Sequence, residues 1–333
     1  MISPSLPQVR RPRESNLELM RIVLMLLIIA HHSVVNSGVM DMWAPATFGA
    51  KAVFLTFWGM WGKVCINSFV MITGYFMCTS RLTWVKMARL LFAVFFWDVV
   101  LSFVLVAIRA MGPGEAVDAV FMPMRSIDSH FVASFLVVYL AIPFLNALIG
   151  ALSKRGLLRL SLLLLWVYTV CTTFFKSYSA FSEVGWYATL YFISAYIRLY
   201  PVAWFDDKRA TLKAFVFCLV ISVVSVAIIL VLQRATGTGD AWTPYYFVND
   251  SGKVLAFMTG TSCFLFFKNL RMPRISVVNA VASTTFGVLL IHANSPAMRR
   301  LLWGNLLDIS GAYASMGGVC LLVTWLLPWL RYS

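Results

Sequence analysis

The run RIVLMLLIIAHH, residues 21 to 32, carries an arginine at one end, two histidines at the other and no polar residue between them. With its flanks, over 17–37, it is long and apolar enough to cross a bilayer, which takes about 20 mostly apolar residues in a helix. At about 100° per residue, Arg21 and His32 lie within about 20° of one another on one helix face, about 16 Å apart along the axis. His31 points about 100° away and does not share that face. The stripe continues through Glu14, Glu18, Met25, Ile28 and Asn36, polar at both ends and apolar in the middle. Ionisable groups inside a membrane are costly, face the bundle interior and mark functional sites by default. On that argument His32 is either a reacting group or a neutral histidine bridging helices. Arg21 either serves the same site or snorkels to the boundary while pairing with Glu18.

The rest of the chain reads the same way. Of its 333 residues, 61% are hydrophobic and only 12% charged, with mean hydropathy +0.83, where soluble domains are about a quarter charged. This is the composition of an integral membrane protein. Further apolar runs at 56–78, 87–110, 131–152, 157–175, 184–200, 212–232, 253–268, 277–294 and 312–330 predict an all-α polytopic membrane bundle of about ten transmembrane helices. No polar stretch is long enough to fold separately, so residues 1–333 read as one integral-membrane domain with a short cytoplasmic tail, 1–16. The start, MISPSLPQVRRPR, lacks the apolar core and small-residue site of a cleaved signal peptide.

The net charge of +14 has a topological explanation. Most Lys and Arg gather at 10–21, 81–89, 154–159, 198–213 and 268–274, while acids such as Glu115, Asp118, Asp128, Glu183, Asp240 and Asp250 fall in the alternate connections. The positive-inside rule then places the N-terminus in the cytoplasm, and no nucleic-acid partner is needed to explain the charge. The six cysteines lie in or beside apolar runs without a CxxC pair, so neither a disulfide framework nor a metal site is indicated.

Other polar groups punctuate the spans. The second ends VCINSFVMITGYFMCTSRLTWVKMARL, in which Asn67, Ser68 and Thr73 suit hydrogen bonding between helices and Gly74 allows close approach. Arg81, Lys86 and Arg89 follow as a basic cluster, either a topology signal or a seat for phosphates. Asp98 is deep in its span, and His130 and His292 fall at predicted outer ends. The outer connections 111–129 and 233–252 are longer than simple loops usually are unless they cover or bind something. A multi-span transporter or flippase of a glycan or lipid-linked precursor would also use buried His, Arg and Asp. A b-type haem protein would need a facing histidine pair, which the sequence does not make evident.

In this order, the segments resemble the acyltransferase 3 family of bacterial membrane O-acyltransferases, in its polysaccharide-modifying branch. Arg21 and His32, within ELMRIVLMLLIIAHH, match its arginine, ten residues, histidine pattern. SFVMITGYF at 68–76 is similar to its serine-glycine-tyrosine-phenylalanine segment, and KMAR at 86–89 to its inner basic pair. FLVVYLAIPFLNALI, LYFISAYIRLY, FLFFKNL and FGVLLIHAN resemble later segments. The serine-valine-glutamate segment of many members is not evident near 130–140, so no acidic catalytic residue is assigned.

The resemblance implies an acyl-CoA donor, usually acetyl-CoA, at the cytoplasmic face of a bacterial inner membrane, and an acceptor hydroxyl on a surface or exported glycan. It implies a catalytic role for His32 with Arg21 as its partner, and donor phosphates at Lys86, Arg89 and the adjacent Arg81. Ser68, Thr73, Tyr75, His292 and Asn294, within the resembling segments, are candidate substrate-site residues. His32 is expected to act as general base or through an acyl-histidine, with Arg21 either stabilising the oxyanion or orienting the donor.

Overall fold

A computed structural model describes residues 15–36, 49–121, 130–177, 181–240, 243–293 and 296–304. The tail 1–14, Asn294 and the predicted last span 312–330 lie outside the described residues. Every regular element among those described is helical: α1 (Ser15–Val35), α2 (Ala50–Gly59), α3 (Gly62–Met77), α4 (Trp84–Ala107), α5 (Pro113–Phe121), α6 (His130–Ala151), α7 (Lys154–Leu165), α8 (Glu183–Leu199), α9 (Lys208–Thr236), α10 (Val254–Asn269), α11 (Ser276–His292) and α12 (Pro296–Trp303), with single turns between some of them.

Local chemistry sets several of these ends. Thr83, Ser153, Ser182 and Asp207 each accept a hydrogen bond from a backbone N–H of the first turn of α4, α7, α8 and α9, satisfying donors that have no partner within the helix. α9 stops at Gly237, whose φ of 65° is the left-handed conformation that closes helices.

Among the described residues, six spans are long and apolar enough to cross a membrane: Ser15–Val35, Ala52–Met77, Trp84–Ala107, Phe131–Ala151, Lys154–Phe174 and Lys208–Thr236. α11 and α12 add a seventh if the pair, bent by 100°, is one span. The predicted runs 184–200, 253–268 and 277–294 do form helices, but of 17, 16 and 17 residues. At 1.5 Å per residue that is about 25 Å, short of the roughly 30 Å hydrocarbon layer. Two spans are irregular. The second breaks at Met60–Trp61 into α2 and α3, and the fifth continues from α7 through a π-helical segment, Trp166–Cys171, to Phe174.

α1 is the spine of the bundle, in contact with α2, α3, α10 and α11. At its first turn Asn16 Nδ2 donates to the carbonyls of Phe267 (2.9 Å) and Lys268 (3.1 Å) at the end of α10. Ser15 Oγ donates to Asn279 of α11 and accepts from the Ile275 amide. α1 and α11 therefore start side by side and run parallel.

α3 is held as closely from its other sides. A Cβ on Gly74 would lie 2.9 Å from Ser194 Cβ of α8, and one on Gly260 of α10 would lie 2.8 Å from Asn67 Cβ. Small residues let these backbones approach where lipid supplies no hydrophobic driving force. Asn67, fully buried, accepts from Trp186 Nε1 (2.9 Å) and donates to the Ser251 carbonyl (2.8 Å).

The connection before α10 is folded into the bundle. Tyr245 Oη donates to the Thr56 carbonyl, Tyr246 Oη to that of Thr173, and the buried Lys253 ammonium to that of Thr172, 4.5 Å from the Tyr246 ring centroid. The outward faces of α4 and α9 expose Phe92, Phe103, Phe217, Ile228 and Val231, as helices that meet lipid do.

Candidate active site

At the far end of α1, His32 meets His292, the last residue of α11, with His32 Nδ1 and His292 Nε2 3.0 Å apart. The rings are tilted with centroids 5.1 Å apart. The pairing follows from the parallel course of α1 and α11. On the other side of the His292 ring, Nδ1 is 2.6 Å from the Val288 carbonyl.

A carbonyl only accepts, so His292 Nδ1 carries a proton, and with both rings neutral the rest is determined. His292 Nε2 is then the acceptor, His32 Nδ1 the donor, and His32 Nε2 an unprotonated nitrogen with a free lone pair. This tautomer is assigned from the hydrogen-bond network. His292 is buried and His32 half-buried, so the basic nitrogen belongs to the more accessible ring and the fixing residue sits behind it. That is the relation of a general base to the group that orients it.

His31 does something else. Its Nδ1 donates to the Gly59 carbonyl at 2.6 Å, one of the acceptors left free where α2 ends. Its ring lies against Gly62, where a Cβ would come 2.3 Å from His31 Cγ. His31 thus pins the break in the second span to α1.

A cavity of about 460 Å³ lies between α1, α3, α4, α6 and α11. Its walls are Arg21, Met25 and Ile28 of α1, Phe69 and Thr73 of α3, Leu90 of α4, Phe131, Phe135 and Tyr139 of α6, and Ala282, Ser283, Thr285, Phe286 and Leu289 of α11. Arg21 marks one end. At the other, Ile28 is one turn before His32 and Leu289 one turn before His292, so an apolar passage leads from the guanidinium towards the base. Arg21 Nη1 holds Glu18 at 2.9 Å, and the Arg21 side chain stays partly exposed.

The other sequence candidates separate. Lys86, Arg89 and Arg81 are exposed around the start of α4, with Lys86 Nζ donating to the Arg81 carbonyl. Arg89 is next to the cavity residue Leu90. Thr73 lines the cavity, but Ser68, on the same helix, is fully buried and donates to the Gly260 carbonyl at 2.8 Å. Tyr75 accepts from Arg198 Nη1 at 2.8 Å, with the guanidinium carbon 4.6 Å from its ring centroid. Asn294 lies outside the described residues, as does the side chain of His130.

Two basic residues that the sequence reading passed over are carried by elements next to the histidines. Lys63, in the first turn of α3, follows Gly62, whose backbone lies against the His31 ring, and Arg299 is in α12, the helix that comes after His292. Lys63 could have been found, as a charge inside the predicted run 56–78. Arg299 lies beyond the predicted span 277–294, and nothing in its local sequence signals that α12 folds back.

The sequence model of the acyltransferase 3 family, described as an acyltransferase domain, matches residues 14–329. No curated protein and no solved structure matches the chain. With a match that runs from the start of α1 almost to the C-terminus, the chain belongs to the acyltransferase 3 family and is a membrane enzyme that transfers an acyl group to an acceptor.

Proposed function

We propose that this protein is an O-acyltransferase that moves an acyl group, acetyl in the simplest case, from cytoplasmic acyl-CoA to a hydroxyl of a cell-surface or exported glycan. The observation that carries the reading is the passage from Arg21 to within one turn of the His32–His292 pair. A CoA thioester combines a highly charged nucleotide with a long, thin arm. Arg21 on the cavity wall, with Lys86, Arg89 and Arg81 exposed around the start of α4, whose Leu90 also lines the cavity, supplies cations for the phosphates, and the apolar passage suits the arm, which brings the thioester towards His32.

His32 Nε2 takes the proton of the acceptor hydroxyl as its oxygen attacks the thioester carbonyl carbon. Collapse of the tetrahedral intermediate breaks the C–S bond, and the departing sulfur takes the proton back from the imidazolium. His292 holds His32 in the reactive tautomer throughout. A positioned base of this kind contributes about 10²- to 10⁴-fold in rate.

The wider setting follows the sequence. The whole chain forms one membrane domain, with about ten spans if the three short helices and the run 312–330 are counted. The N-terminus and the basic cluster face the cytoplasm of a bacterial inner membrane, with the histidine pair towards the acceptor side. Purified protein in lipid nanodiscs, given radiolabelled acetyl-CoA and envelope glycan from the source cells, should label the glycan, and His32→Ala should abolish labelling while remaining folded. Unlabelled glycan with the intact protein, or undiminished labelling by His32→Ala, would overturn the assignment.

A further inference from the structure

α4 starts beside the exposed Lys86 and Arg89 and ends at Ala107, so the turn that follows it lies at the opposite end of the span. A second cavity, of about 360 Å³, opens there. Its walls include Arg109, Met111, Pro113 and Glu115 around the turn from α4 to α5, and Arg300 of α12. It is joined to the histidine end of α11 by packing. Ile291, the residue before His292, packs with Val106, Ala110 and Leu302 against a buried cluster of Leu101, Leu105, Met111, Ala297 and Met298. One apolar cluster therefore supports both the cavity wall and the neighbour of His292.

We propose that this cavity is an acceptor subsite that seats an acidic sugar of the glycan, with the sugar carboxylate on Arg109 and Arg300 and a sugar hydroxyl donating to Glu115. The inference rests on the reading that a glycan is acylated at His32.

The backbone at Arg109 is the first support. Its φ is 59°, the left-handed conformation. The Arg109 N–H donates to the Val106 carbonyl at 2.9 Å and the Ala110 N–H to that of Leu105 at 2.8 Å, the helix-closing pattern whose left-handed position ordinarily holds glycine because a Cβ is strained there. An arginine occupies it here, and strain of this kind collects where a side chain has a binding role.

Charge is the second support. Basic residues that orient a membrane protein gather on the cytoplasmic side, whereas in the proposed orientation Arg109 and Arg300 lie on the acceptor side. No described carboxylate pairs with either of them, so both guanidiniums keep their planar fork of donors, the geometry that matches a carboxylate. Glu115 on the same wall suits a sugar acid better than a bare anion, since a sugar brings hydroxyl donors beside its carboxylate. Both arginines are exposed, within reach of a polymer.

The test is steady-state kinetics of the full chain in nanodiscs with labelled acetyl-CoA and source-cell envelope glycan. Arg109→Gln and Arg300→Gln should each raise the glycan KM about tenfold with kcat and the donor KM unchanged, the pattern of lost ground-state binding. Arg109→Gly, which also relieves the left-handed strain, should raise the glycan KM equally while its thermal midpoint in detergent stays at or above that of the wild type; a purely structural Arg109 would leave the KM unmoved. Reducing the glycan carboxylates to alcohols should bring the wild type to the KM of the variants and leave the variants unaffected. Wild-type glycan KM in both Gln variants, or reduced glycan accepted as well as native, would overturn the proposal. So would a variant effect seen only in nanodiscs containing phosphatidylglycerol, which assigns the arginines to lipid headgroups. Binding of native glycan measured without donor separates the two levels. Binding that needs the arginines, without labelling, supports the subsite and removes acyl transfer; labelling indifferent to the arginines removes only the subsite; neither binding nor labelling overturns both.

Discussion

Replacing His292 tests the site most directly, because its two hydrogen bonds determine which nitrogen of His32 is basic. In His292→Ala, the His32 Nδ1–H loses the acceptor now 3.0 Å away, and the Val288 carbonyl loses its side-chain donor at 2.6 Å. Leaving a donor without a partner costs about 1–3 kcal/mol where it is shielded from water. If that cost falls on the reactive arrangement of His32, it corresponds to about a 5- to 150-fold lower kcat at 1.36 kcal/mol per decade. Donor binding should be unaffected, since His292 is not among the residues lining the cavity. His292→Gln, which can present an oxygen close to the position of Nε2, should recover part of the loss. The assay is glycan labelling from radiolabelled acetyl-CoA under saturating donor, with CoA affinity measured in parallel. Wild-type turnover in a folded His292→Ala protein, or His292→Gln falling as far as His292→Ala, would refute the tautomer argument.

Other expectations concern the passage and the frame around it. Ile28→Phe or Thr73→Trp narrows the cavity and should raise the KM for acetyl-CoA at least tenfold, read from initial rates across donor concentration. Arg21→Met should also raise the donor KM while changing kcat by less than about tenfold, the pattern of lost binding without lost transition-state stabilisation. Asn67→Leu strands Trp186 Nε1 and the Ser251 carbonyl and should destabilise the protein by about 1–3 kcal/mol for each group left buried and unpaired, measured as a lower thermal midpoint in detergent. Gly260→Val forces a Cβ into contact with Asn67 and the Val64 carbonyl; overpacking of this kind costs about 1–3 kcal/mol, and the same thermal measurement checks it.

The sequence by itself determined that the chain is a helical membrane protein, because lipid leaves the backbone no partner but itself and the apolar runs are unmistakable. It also placed Arg21 and His32 on one face of one helix, since periodicity within a single helix needs no knowledge of the neighbours. What lay between helices was not legible. Ser68 and Thr73 sit in one motif-like run, yet their angular offset sends Ser68 to Gly260 and Thr73 to the cavity. His292 could be identified as polar at a helix end, but its bond to His32 depends on α1 and α11 running parallel from the Ser15–Asn279 contact. Lys63 was visible as a charge in an apolar run, and only the packing of Gly62 on His31 shows which helix its backbone lies beside. α12, which carries Arg299, turns away from α11 through a bend that no local pattern encodes. Composition and period set which surfaces are apolar; the close approaches at Gly59, Gly62, Gly74 and Gly260 set which polar groups meet, because between helices in lipid it is packing and hydrogen bonding, not hydrophobicity, that select partners.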